Sequence, residues 1–304
     1  MESKPIVTIG LCVRNCASTI KETIESILNQ DYPRELMEII FVDDGSVDET
    51  FSIIKEYASK TGIRIKIFRH KWKGLGPSRN VIVNNAKGTY IVWVDGDMKL
   101  SKDYLKSQVE FMENNLAVGI AKGKYGLNNY EGYVSFLENV PFFVFTNKYA
   151  GKFIEINPGT GGSIYRVKAI REIGGFNNQI KGAYEDIDVE SRIREKGWLI
   201  CISHATFYEK YPSTWKDLWK KYFWYGYGAA DFYNIRKGEM KLYYMFPLAA
   251  FLSGLLYSFD AYRLTRRKIV FLLPIQFIYK MSAWWLGFIK NYANYHRRNH
   301  SQRN

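Results

Sequence analysis

The chain of 304 residues is 47% hydrophobic and 16% aromatic, which supports a folded core and excludes a disordered tail or a collagen-like chain. Its net charge of +13 is uneven: residues 201–304 hold 16 basic and 5 acidic side chains, so eleven of the thirteen excess charges sit there. That asymmetry argues against nucleic acid spread over the whole surface and points to a basic C-terminal third facing an anionic layer, with phospholipid headgroups favoured over nucleic acid. Cys12, Cys16 and Cys201 supply neither a CxxC pair nor an even count, so reduced thiols are expected rather than a disulfide scaffold or a structural zinc site. The opening MESKPIVTIG lacks a basic segment followed by a long apolar one, so no cleaved signal is expected and the N-terminal domain is placed in the cytoplasm.

The β-branched run Ile6 to Val13 reads as a strand, followed by a turn at 15–18 and a helix from Thr19 to Leu28 with Ile20, Ile24, Ile27 and Leu28 on one face. The pattern repeats with a strand over Met37–Val42, a helix over Glu49–Ser59 and a strand over Ile63–Phe68. A Gly/Pro loop at Gly74–Pro77, a helix through Val81–Ala86 and a strand at Tyr90–Val94 make a fourth unit. Such alternation implies crossover connections and a parallel sheet covered by helices, a nucleotide-binding α/β class in which ligands collect at the carboxyl ends of the strands. A helix follows over Ser101–Asn114, while 115–160 shows no regular pattern. Gly161–Val167 reads as a strand, Lys168–Ile173 as a short helix ended by Gly174 and Gly175, and Glu185–Lys196 as a helix closed by Gly197.

The last hundred residues change character. From Thr214 to Gly226, Trp215, Leu218, Trp219, Tyr222 and Phe223 share one helical face, with Lys216, Lys220 and Lys221 opposite. Such a helix either faces a core or lies in a membrane interface. Leu242 to Phe259 is 18 residues without a charge, and Ile269 to Ile289 is 21 residues carrying only Lys280, both close to the length that crosses a hydrocarbon core. The intervening segment carries Arg263, Arg266, Arg267 and Lys268, which a two-span hairpin would place opposite the N-terminal domain, against the positive-inside tendency. Either the hairpin spans despite this loop, or Pro247 and Pro274 break both segments and they lie in the interface with the basic residues at the headgroups.

Acidic residues follow the strands. Asp43 and Asp44, in FVDDGSVDET, can accept hydrogen bonds from a base or ribose, or serve as a turn ahead of a helix capped by Ser46 or Asp48. Asp95 and Asp97, in VWVDGDM, flank a glycine at a strand end, where hard oxygen ligands can converge on a divalent cation bridging a diphosphate. Glu185, Asp186, Asp188 and Glu190 crowd one helix start. The helix dipole accounts for their type, and their number leaves one free to deprotonate an acceptor hydroxyl while others pair with Arg192 and Arg194. Gly159, Gly161 and Gly162, in NPGTGGSIY, allow close backbone approach to a ligand.

Taken in order, VTIGLCVRNCASTIKETIESILNQDYP, FVDDGSVDET, GLGPSRN, GTYIVWVDGDM, GTGGSIYRVKAIREIGGFN and YEDIDVESRIREKGW resemble the inverting family-two glycosyltransferases of GT-A fold, over residues 5–225. The resemblance implies an α/β fold with a mixed, mainly parallel nucleotide-sugar-binding sheet flanked by helices. To it the C-terminal patterning adds interfacial and hydrophobic membrane helices. It further implies that Val13 and Asn15 at the end of the first strand, with Asp43 and Asp44, hold the nucleotide, and that Arg79, Asn80 and Gly161 line the donor pocket. Asp95 and Asp97 would hold the sugar and a Mn2+ or Mg2+ ion, Glu185 and Gly162 would support the acceptor side, and Asp186 would be the base of a single inverting displacement.

Two departures stand out. Relatives place a His shortly before a P-S-T segment, where FYEKYPST has Glu209, with His204 five residues earlier. The Q-x-x-R-W of processive synthases is absent; the matching helix reads KKYFWYG, retaining only Trp224, which disfavours a processive polymer synthase. The expected organisation is a catalytic domain over 1–212, an amphipathic interfacial region over 213–240, and a hydrophobic membrane-anchoring hairpin with a basic tail over 241–304. The expected partners are a nucleotide-sugar donor, a polyprenyl-linked glycan or polyprenyl phosphate acceptor, and the cytoplasmic face of the cell membrane, with no nucleic acid. A silent membrane scaffold binding anionic lipid is the reading of another class, and intact Asp95, Asp97 and Asp186 argue against it.

Overall fold

The computed structural model of the protein describes residues 7–127, 132–180, 182–236, 240 and 242–301; Ile6 and the side chains of the basic tail beyond Tyr295 lie outside the described residues. Two compact units are present: Met1–Gly126 with Thr146–Lys181 and Glu185–Lys210, and Leu127–Phe145 with Gly182–Tyr184 and Tyr211–Asn304.

The first unit is built on one eight-stranded sheet. In chain order its elements are β1 (Val7–Val13), α1 (Ile20–Leu28), β2 (Met37–Asp43), α2 (Thr50–Lys60), β3 (Arg64–Arg69), α3 (Leu75–Asn85), β4 (Tyr90–Trp93), β5 (Met98–Leu100), α4 (Tyr104–Asn114) and β6 (Val118–Tyr125). After α5 (Tyr133–Lys148) come β7 (Ser163–Arg166), α6 (Val167–Glu172), α7 (Glu185–Glu195) and β8 (Leu199–Glu209). The strand order is β3-β2-β1-β4-β7-β6-β8-β5. β3, β2, β1 and β4 run parallel, as the crossover helices require. β7 is antiparallel to both β4 and β6, β8 is parallel to β6, and β5 is antiparallel to β8, so the sheet is mixed and mainly parallel, as expected. Mostly apolar runs explain the middle of the sheet: every residue of β2 and β4 is buried, Glu38 of β2 accepting from Thr8 Oγ1 (2.6 Å), and helices cover it, with α3 packed on β1 and β2 and α4 on β6 and β8.

The structure departs from the sequence reading in four places. Gly74–Pro77 is not a loop: α3 begins at Leu75, because Gly74 (φ 97°) makes the entry turn and Pro77 falls in the first helical turn, where an N–H is not needed. The irregular stretch 115–160 contains β6 and all of α5. β5 and β8 went unread because they are fixed by non-local pairing: β8 lies beside β6, and β5 joins β8 with Met98 opposite Glu209 and Leu100 opposite Phe207.

The second unit is helical. Most of α5 packs with α8 (Trp215–Ile235), α9 (Pro247–Thr265) and α10 (Leu273–Ser301), which are longer than the sequence pattern indicated. Phe136, Leu137, Val140 and Val144 of α5 meet Ala261, Val270 and Leu273, and Leu218 and Tyr222 of α8 meet Ala283. Among the described residues, one helix, Lys268–Tyr295, is long and apolar enough to cross a membrane.

Candidate active site

The site is assembled at the carboxyl ends of the parallel strands in the first unit. β1 ends in Val13, whose carbonyl accepts the N–H of Asp44 (2.9 Å). Asn15 adopts φ 50°, a left-handed conformation that Asn tolerates. Its N–H donates to Ser46 Oγ (3.0 Å) and its Oδ1 accepts from Val47 N–H (2.9 Å), so the two loops are stitched together.

Asp43 and Asp44 divide the labour. Asp43 is fully buried: Oδ1 accepts from Ser46 N–H (3.1 Å) and Oδ2 pairs with Arg69 Nε (2.9 Å), which shapes the Asp-Gly turn. Asp44 accepts from Lys73 N–H (2.7 Å) and Gly74 N–H (3.0 Å) and lies 3.2 Å from His70 Nδ1, tying the second strand to the start of α3.

α3 carries Arg79 and Asn80. The Arg79 guanidinium is 5% exposed, pairs with Glu185 Oε1, lies 3.8 Å from Asp95 Oδ1, and sits over the rings of Trp93 (6.0 Å) and Phe176 (5.6 Å). Asn80 points at the 176–178 turn, donating to Phe176 O (2.8 Å) and Asn178 Oδ1 (2.9 Å) and accepting from Phe176 N–H (2.8 Å). Of the GPSRN pair, Arg79 therefore joins Asp95 and Glu185, while Asn80 anchors the loop leading toward α7.

The antiparallel pairing of β4 with β7 brings the glycine loop to the carboxylates. Trp93 is in register with Ser163, and Gly162 N–H donates to Trp93 O (2.9 Å), so Gly161 lies against Asp95. A Cβ on Gly161 would overlap Asp95 Oδ2 and come within 2.6 Å of Met98 Cε. Gly162 holds φ 64° and its carbonyl accepts from Tyr104 OH (2.8 Å) and Gly123 N–H (2.8 Å).

α7 begins at Glu185, immediately after Tyr184, whose φ of 79° is strained for an aromatic residue and re-aims the chain into the helix. Glu185 is buried, and burial pushes its carboxyl up to about 8 against the opposing pull of the Arg79 guanidinium. Its Oε2 has no hydrogen-bond partner among the described residues. Asp186 is half-buried, and a Cβ on Gly159 would lie 3.3 Å from its Oδ2, so Asp186 faces the glycine loop. Asp188 pairs with Arg192 (2.6 and 2.9 Å), holding the helix in place.

Sequence reasoning missed Lys122. This residue of β6 is 2% exposed, donates to Gly161 O and reaches Gly159 O at 3.4 Å, and sits over the rings of Tyr125 (5.0 Å) and Phe207 (5.3 Å). Burial lowers the pKa of its ammonium, and the negative charges of Glu209, Glu190, Asp95 and Asp186 resist that fall. Glu190 completes the support: it accepts from Gly159 N–H (3.2 Å) and Tyr165 OH (2.8 Å), and burial pushes its carboxyl up to about 8. A lysine following the apolar run Val118–Ala121 was the signal available in the sequence.

Among the described residues no three His, Cys, Asp or Glu side chains form a ready-made metal cage. Asp95 and Asp97 are both half-buried and reach solvent, and two hard oxygen donors are the protein share that Mg2+ or Mn2+ takes when substrate phosphates complete its shell. The donor set therefore fits a divalent ion held with a diphosphate. Glu209 is in register with Met98, next to Asp97, whereas His204 lies five residues back along β8, roughly 17 Å away at about 3.3 Å per residue.

The sequence and the fold are similar to those of known proteins. The glycosyl transferase family 2 model matches residues 8–174, more than half of the chain. The undecaprenol-linked β-1,3-glucosyltransferase WfaP of Escherichia coli, which takes UDP-Glc and α-D-GlcNAc-diphosphoundecaprenol, is 37% identical over 108 residues, 36% of this chain and 41% of WfaP. The poly(ribitol-phosphate) β-N-acetylglucosaminyltransferase TarS of Staphylococcus aureus is 31% identical over 101 residues, 33% of this chain and 18% of TarS. The chain thus matches less than half the length of either relative. Among solved structures, the mannosyltransferase PcManGT of Pyrobaculum calidifontis, in complex with GDP-Man and Mn2+, superposes with a TM-score of 0.65 at 18% identity over 95% of this chain and 88% of that one. TarS with UDP-GlcNAc superposes with a TM-score of 0.51 at 15% identity over 93% and 90%. These neighbours share the GT-A fold, and with more than half of its length matched, the chain belongs to glycosyl transferase family 2.

Proposed function

We propose that the protein transfers one sugar from a nucleotide-diphosphate donor, with inversion, to a lipid-linked glycan at the cytoplasmic face of a membrane, residues 1–212 performing catalysis and residues 213–304 seating it on lipid. The observation that carries this reading is the convergence of Arg79, Asp95, Gly161, Glu185 and Asp186 at the carboxyl ends of the sheet, in a chain of family 2. The acceptor class follows from WfaP, which acts on a diphosphoundecaprenol-linked sugar, together with the apolar helix Lys268–Tyr295.

In this reading the Val13–Asn15 and Asp43–Asp44 loops bound the nucleotide. Asp95 and Asp97 would hold a Mn2+ or Mg2+ ion, which would neutralise charge on the diphosphate leaving group. Gly161, lacking a side chain, lets the donor sugar approach the backbone beside Asp95. Asp186 takes the proton of the acceptor hydroxyl as its oxygen bonds to the anomeric carbon and the bond to the diphosphate breaks, the electron pair leaving with the nucleotide. Arg79 and the buried Glu185 keep Asp95 and the start of α7 at a fixed separation.

Transfer of label from UDP-, GDP- and dTDP-sugars into organic-extractable lipid, in membranes expressing the protein with Mn2+ or EDTA, tests this. Wild type is expected to label lipid only with metal. Asp186→Asn is expected to abolish transfer while keeping donor binding, and Asp95→Asn or Asp97→Asn to weaken metal-dependent donor binding. Equal loss of donor binding in all three would undo the base assignment. Label on polyprenyl phosphate bearing a single sugar would move the acceptor to the simpler lipid, and no label from folded protein would favour a silent scaffold.

A further inference from the structure

The longest apolar helix of the second unit is not free to cross a bilayer. At the centre of Lys268–Tyr295, Lys280 Nζ pairs with Glu138 Oε2 of α5 (2.8 Å) while Tyr222 OH of α8 donates to Glu138 Oε1 (2.8 Å), and both charges are at most 5% exposed. Immediately before Lys280, Tyr279 lies 5.0 Å from the rings of both Trp215 and Trp219 and donates to Trp215 O (2.9 Å). The two helices then stay together: Phe223 and Tyr227 pack against Gly287, and Asn291 donates to Tyr227 O (2.7 Å) and Asp231 Oδ1 (2.8 Å). α8 therefore runs alongside α10 from its midpoint onward. The same first turns of α8 expose Lys216, Asp217 and Lys220. Were α10 to span, these charges would be carried toward the middle of the hydrocarbon, where Lys and Asp are the costliest residues to place.

The exposed apolar surface is one-sided instead. On α9, Leu248, Leu252, Leu255, Leu256 and Phe259 form a single outer stripe, opposite the buried Ala250, Gly254, Ser258 and Ala261 that face α10. On α10, Ile275, Ile278, Leu286 and Ile289 are exposed on the side away from Lys280 and Trp284. Where the two helices join, Arg263, Arg266, Arg267 and Lys268 are all exposed. A half-apolar helix pair edged by cations matches a layer that is apolar below and anionic above.

We propose that α9 and α10 form a monotopic anchor, embedded by their outer faces in one leaflet of an anionic phospholipid membrane, with residues 263–268 at the headgroups and no segment crossing. This rests on the membrane seating in the proposed function and is read by topology and lipid binding rather than by sugar transfer, so loss of transfer with these results intact would fail the transferase reading alone.

Lys60→Cys, Arg267→Cys and Tyr295→Cys, each read against wild-type background, are treated with a membrane-impermeant maleimide in inverted vesicles and in intact spheroplasts of an expressing bacterium. All three are expected to react in inverted vesicles and none in spheroplasts; reaction of Arg267→Cys or Tyr295→Cys in spheroplasts overturns the proposal. In parallel, purified full-length protein is floated with phosphatidylcholine vesicles with or without phosphatidylglycerol. Binding is expected to favour phosphatidylglycerol, to fall about fivefold for each cation removed in Arg266→Gln and Arg267→Gln, and to be lost in Leu252→Glu/Leu256→Glu at unchanged melting temperature. Wild-type protein that binds neither vesicle, or a double glutamate variant that binds as wild type does, overturns it equally.

Discussion

Gly161→Ala isolates the contact on which the donor site turns. Gly161 does not need a left-handed backbone, so alanine adds no conformational strain; it adds one methyl group that overlaps Asp95 Oδ2 and comes within 2.6 Å of Met98 Cε. Restoring ordinary van der Waals separations of about 3.5 Å requires a shift of about 1 Å. The Met98 methyl can swing away, but Asp95 has a short side chain, is already near Arg79 at 3.8 Å, and must take most of the displacement. A 1 Å misplacement in a reacting constellation costs about a hundredfold in rate, or about 2.7 kcal/mol at roughly 1.4 kcal/mol per tenfold. The expected result is a fall of about a hundredfold in metal-dependent sugar transfer, with the melting temperature within a few degrees of wild type because Asp95 can move toward solvent. Gly62→Ala, where an added Cβ meets nothing within 4 Å, is the control and leaves both unchanged. Gly161→Ala protein that transfers sugar within twofold of wild type would refute the idea that this glycine positions Asp95.

Lys122→Met strands the buried Gly161 carbonyl, while the Gly159 carbonyl keeps the Ser163 hydroxyl, and urea unfolding should show a loss of about 1–3 kcal/mol. The buried Glu185 carboxyl, raised from 4.5 to about 8, contributes stability that is fully present below about pH 4.5 and lost as pH rises through about 8. The melting temperature of wild type relative to Glu185→Gln should therefore be highest near pH 5 and decline toward pH 9, and a rise over that window would contradict the assignment. Lys280→Met leaves Glu138 buried with only the Tyr222 hydroxyl among its described partners, and should destabilise the second unit by about 3–5 kcal/mol. Adding Glu138→Leu should recover most of that loss, which calorimetry of the double variant would show.

Much of the first unit was legible from local pattern. β1, β2 and β4 are mostly apolar, β-branched-rich runs and α1 buries Ile20, Ile24 and Ile27 at helical spacing, so local pattern located them within a residue or two. The acidic pairs after β2 and β4 stood where a parallel sheet collects ligands, and the structure places Asp44 and Asp95 at those strand ends. β5 and β8 carried no such signal, because β5 is three residues held by pairing with β8, and β8 is held by non-local pairing with both β6 and β5. Gly74–Pro77 looked like a loop because both residues usually break helices, yet a glycine before the helix and a proline in its first turn are the positions that tolerate them.

The chemistry of the chain is written in residue types at particular spacings: carboxylates after strands, glycines before β7, acids at the start of α7, and cations in the last third. Those are local properties, and a sequence carries them directly. Which of them meet is decided by the antiparallel return of β7, which sets Gly161 against Asp95, and by the buried cations Arg79 and Lys122, whose partners lie 106 and 39 residues away along the chain. The fate of the hydrophobic segments was equally hidden, since hydropathy counts apolar residues without seeing what covers them. Only the packing of α8 and α5 on α10 shows that one side of that helix is occupied by protein and a buried ion pair, leaving the other exposed.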